Sequence, residues 1–132
     1  MSLAEDGSIR ITVPLRGEGA AELASLPVII EEDVQERLLR GLRYASDVLE
    51  RVDSEHRLSH VVIVAAILGG DYVAWRTRTE HARSPNQIEI GMPRTRRPVA
   101  LAPAHRSREA LRLEAGALAE DLTVLLRREH RG

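Results

Sequence analysis

The sequence predicts an α+β fold: a two-layer sandwich in which an antiparallel sheet of four to five strands carries two long amphipathic helices, in the order β-α-β-β-β-β-α. Three observations predict it. Two stretches, about 32–54 and about 107–129, repeat apolar residues at intervals of four and three. Between them lie one unbroken apolar run and several short segments in which apolar and polar residues alternate. Glycine- and proline-bearing turns separate those segments closely enough for a meander, and two amphipathic helices need a sheet face to cover.

In chain order, Ile9, Ile11, Val13 and Leu15 alternate with Ser8, Arg10, Thr12 and Pro14, the period of a half-buried strand. Pro14 has no N–H to give a ladder, so this strand lies at an edge or ends there. Gly17-Glu18-Gly19 stops it, residues 20–26 read as a helical turn closed by Pro27, and Val28-Ile29-Ile30 reads as a strand stub. The first helix shows its stripe in Val34, Leu38, Leu42, Ala45, Leu49 and Val52. Asp33 followed by Glu36 resembles a capping box, and Glu31 and Glu32 suit the positive end of the helix.

Val61 to Leu68 reads as a central strand buried on both faces. Gly69-Gly70 offers a two-residue turn, with Asp71 to Thr79 as the returning strand. That register sets Val64 against Trp75, Val62 against Thr77 and Ala66 against Val73 on the core face. Ile63 then pairs with Arg76 and Val61 with Arg78 on the opposite face. Ser84-Pro85-Asn86 is a turn, Ile88, Ile90 and Met92 mark a fourth strand, Pro93 to Arg97 is a basic loop, and Val99 and Leu101 form a fifth short strand. Pro103 leads into the last helix, with Leu111, Ala115, Leu118, Leu122 and Leu125 on its apolar side.

The 132 residues fit a single domain, 1–132, with residues 1–7 expected to be disordered. A place within a longer protein is equally compatible with that length. There is no cysteine, which excludes a disulfide framework and a cysteine nucleophile. The longest apolar run falls far short of the ~20 residues a membrane helix needs, and no basic region leads an apolar stretch at the start. A cytoplasmic chain is expected. All 19 basic residues are arginine, lysine and phenylalanine are absent, and Asn86 is the only asparagine. Codon usage in a GC-rich genome accounts for that bias, so arginine content alone is no nucleic-acid signal. Charge is nonetheless segregated: residues 1–55 hold 12 acids and 6 arginines, residues 56–132 hold 8 acids and 13 arginines.

Most chemical motifs reduce to structural roles. His56, His60, His81, His105 and His130 lack a completing acid at metal-ligand spacing, so no metal is expected. Gly17-Glu18-Gly19 and Gly69-Gly70-Asp71 sit in neither a phosphate-binding nor a dinucleotide context, so no cofactor is expected. No nucleophile elbow is present, and Glu31, Glu32 and Asp33 have a helix-start explanation.

Two surfaces stand out. In the predicted register Val61, Ile63, Ala65, Ile67 and Ala74 form an apolar strip left uncovered if both helices lie on the other face, which points to an interface. Arg76 and Arg78 flank it, next to Arg94, Arg96 and Arg97 in the loop, and guanidinium forks suit phosphate and carboxylate groups. The function expected first is a non-catalytic interaction or regulatory domain, a homodimer or a docking module for a partner protein, working through Val61, Ile63, Ala65 and Ile67. The alternative is an anion or nucleic-acid binding module using Arg76, Arg78, Arg94, Arg96 and Arg97. An enzyme comes third, because no base, nucleophile and oxyanion donor assemble from these spacings.

Overall fold

A computed structural model describes residues 2–3, 8–15, 28–69, 73–84 and 96–132. The chain forms β1 (Ser2–Leu3), β2 (Ile9–Arg10), β3 (Val28–Ile30), α1 (Glu31–Val52), β4 (His60–Ala65), β5 (Ala74–Arg76), α2 (Arg78–Arg83), β6 (Val99–Ser107), α3 (Arg108–Leu113) and α4 (Ala115–Arg131). The fold is α+β, but among the described residues the strands make three two-stranded ladders instead of one antiparallel sheet of four or five. β1 pairs β2 antiparallel, β3 pairs β5 parallel, and β4 pairs β6 antiparallel. The expected strand through Ile88, Ile90 and Met92 lies outside the described residues.

The long helices fall where the periodicity places them. α1 buries Val34, Leu42, Ser46 and Leu49 along one stripe. Its start differs from the expected capping box: Ile30 is the N-cap and contributes no side-chain hydrogen bond. Asp33 instead takes the guanidinium of Arg78, and Glu36 that of Arg40 one turn on. The last helix is divided at Glu114, whose φ of −119° and ψ of 25° break the helical path between α3 and α4. Ser107 caps α3, its Oγ accepting from the Ala110 N–H at 3.0 Å.

The expected hairpin across Gly69-Gly70 is replaced by two separate pairings. Ala74, Trp75 and Arg76 run parallel to Val28, Ile29 and Ile30, while β4 takes β6 as its neighbour. The local reason is legible in Thr77-Arg78-Thr79-Glu80. Thr77 Oγ1 accepts from the Glu80 N–H at 3.1 Å, and Glu80 Oε1 accepts from the Thr77 N–H at 2.9 Å. That reciprocal box starts α2 and ends the strand at Arg76, three residues short of the expected end at Thr79.

The core has two connected parts. Leu42 and Leu49 of α1, Leu101 of β6, Leu111 of α3, and Ala115, Leu118, Ala119 and Leu122 of α4 form the larger, with Leu122 only 1% exposed. Ile29, Val34, Trp75 and Leu126 form the smaller, and Leu38, Ala65 and Val99 touch both. The β4–β6 ladder therefore lies over a helical layer, and every second residue of β4 turns towards it.

Candidate interaction surface

β4 is not buried on both faces. Val61, Ile63 and Ala65 are half-buried against the main core, whereas Val62 and Val64 are 53% and 57% exposed. Beyond the strand, Ile67 packs on the smaller cluster and Leu68 is 81% exposed. The strip expected to be uncovered, Val61, Ile63, Ala65 and Ile67, is thus the inward row, and the outward row is Val62, Val64 and Leu68. The inversion has one cause. The expected register tied Val64 to Trp75, and Trp75 does lie in the core at 3% exposure, but on the β3–β5 ladder, where it sets no constraint on β4.

β6 completes the outer surface. Val62 stands opposite His105 and Val64 opposite Ala100, so the register slips and residues 101–104 bulge against Ile63. Leu101 points inward, while Ala100, Ala102, Pro103 and Ala104 are exposed. Arg106 closes the bulge by donating from Nη2 to the Ala102 carbonyl at 3.0 Å. The result is an apolar outer face of valine, alanine and proline with His60 and His105 at one end.

The arginines do not converge as expected. Arg76 is buried, 5% exposed, and donates from Nη1 to the Ser84 carbonyl at 2.9 Å. Arg78 belongs to α2, not to a strand face beside Arg76. Its backbone N–H donates to Glu32 Oε2 at 2.8 Å and its Nη2 to Asp33 Oδ1 at 2.8 Å. The three acids at the start of α1 are therefore tethers: Glu32 and Asp33 hold Arg78, and Glu31 holds Trp75 and Arg127. Glu31 Oε1 accepts from Trp75 Nε1 at 3.1 Å and from Arg127 Nη1 at 2.8 Å. His130 lies beside Trp75, with ring centroids 5.8 Å apart, and its Nε2 donates to the Val73 carbonyl at 2.6 Å. Arg96 is half-buried, Arg97 is exposed with its N–H given to Glu129, and Arg94 lies outside the described residues.

One shallow cleft of about 210 Å³ is lined by Glu50, His56, Arg108, Glu109 and Arg112. Arg108 anchors it, with its side chain 6% exposed. Its Nη1 donates to Asp53 Oδ2 at 2.5 Å and its Nη2 to the Leu49 carbonyl at 2.7 Å. The backbone N–H of Leu58 holds the Asp53 carboxyl below its ordinary value of 3.8; the Arg57 N–H and the Arg108 guanidinium act in the same direction, against the desolvation. His56, at φ 54°, turns its Nε2 to within 3.6 Å of Glu50. Arg108 meets Asp53 and, at 3.7 Å, Glu50, which makes this a clamp between α1, α3 and the 53–59 loop. Sequence reading missed the clamp because its members stand 55 positions apart.

Among the described residues no three His, Asp or Glu side chains are placed to hold a metal ion, and no helix is long and apolar enough to cross a membrane. No family model matches the chain, and no curated protein or solved structure matches it.

Proposed function

We propose that the chain is a non-catalytic interaction domain that self-associates through the outer surface of the β4–β6 ladder. One observation carries this reading: Val62 and Val64, neighbours on one row of an ordered strand, are each more than half exposed, with exposed alanines of β6 beside them. Scattered exposed valines are ordinary, but an apolar row on a regular ladder is what a partner would cover. The arginine-based alternative draws no support from Arg76 or Arg78, whose guanidinium groups are spent on Ser84 and Asp33. At the cleft the Arg108 guanidinium is held by Asp53 and the Leu49 carbonyl, which supports a structural role for that arginine.

Sedimentation across micromolar concentrations tests it. The wild-type chain is expected to sediment above 14.7 kDa at the higher concentrations. Val64→Glu, which places a charge in the middle of the row and leaves the core untouched, is expected to return it to a monomer. A wild-type chain that stays monomeric throughout and retains no partner refutes the proposal.

A further inference from the structure

We draw no further inference here: the strongest candidate, the outward apolar row of Val62 and Val64 on the β4–β6 ladder, is the surface already proposed for self-association, and nothing in the structure shows what covers it.

Discussion

Replacing Ile63 and Val64 separately by alanine places neighbouring residues of β4 in direct competition, because the register drawn from sequence and the structure assign them opposite faces. Ile63 is half-buried against the main core, while Val64 is 57% exposed. Truncating a fully buried isoleucine to alanine costs about 2–5 kcal/mol. Ile63 keeps part of its side chain in water, so roughly half of that, about 1–2.5 kcal/mol, is expected. For Val64 the loss is limited to strand preference and edge packing, under about 0.7 kcal/mol. With a urea slope of about 1.5 kcal/mol per M, the midpoint falls by roughly 0.7–1.7 M for Ile63→Ala and by under about 0.5 M for Val64→Ala. The assay is urea unfolding followed by circular dichroism, at a concentration where sedimentation shows a monomer, since association would add stability of its own. Leu122→Ala, at the 1% exposed centre of the core, calibrates the full cost. If Val64→Ala lowers the midpoint more than Ile63→Ala, β4 faces the other way and the interaction surface is misplaced.

Further outcomes follow from the tethers. Asp53→Asn is expected to flatten the acid limb of the stability curve. The wild-type carboxyl titrates below its ordinary 3.8 when folded, so the unfolded chain binds the proton first. Its contribution is therefore complete above that value and lost as pH falls through the folded one, which urea midpoints between about pH 6 and 2.5 will follow. Glu31→Ala removes the acceptor of both Trp75 Nε1 and Arg127. An unsatisfied partly buried donor costs about 1–3 kcal/mol, and because Trp75 is the only tryptophan its fluorescence reports that change directly. Thr77→Ala breaks the box that starts α2 and is expected to cost about 1 kcal/mol in thermal unfolding, with Thr77→Ser restoring most of it.

How much was legible depends on range. α1 and the two parts of the last helix announce themselves because a period of 3.6 is written within a few turns of sequence, as in Leu111, Ala115, Leu118 and Leu122. Pairing between strands is written nowhere locally. Nothing near Val61–Leu68 says that its neighbour is Val99–Ser107 and not the segment after Gly69-Gly70. The glycine pair suggests a hairpin, yet Thr77-x-x-Glu80 ends the candidate strand early, and that signal was available in the sequence. The row of β4 expected to face out followed from the wrong neighbour, so the strip expected to be uncovered is the row that packs on the core. Arg76 and Arg78 were placed on one face by a strand period of two, which ceases to apply once Thr77 opens a helix. The Asp53–Arg108 clamp had no sequence signature at all, being an acid and an arginine brought together by the packing of α1 against α3.

The tether at Glu31 also bears on the order of events when the chain folds. It joins the start of α1 to Trp75 across 44 positions and to Arg127 across 96, and the parallel β3–β5 ladder spans a comparable stretch. Contacts that close such long loops come late, because the entropy of closure must be met before any of them forms. α1 and α4 can coil early on local contacts, but the β3–β5 corner, with Trp75 in it, has to wait until both ends of the chain are present.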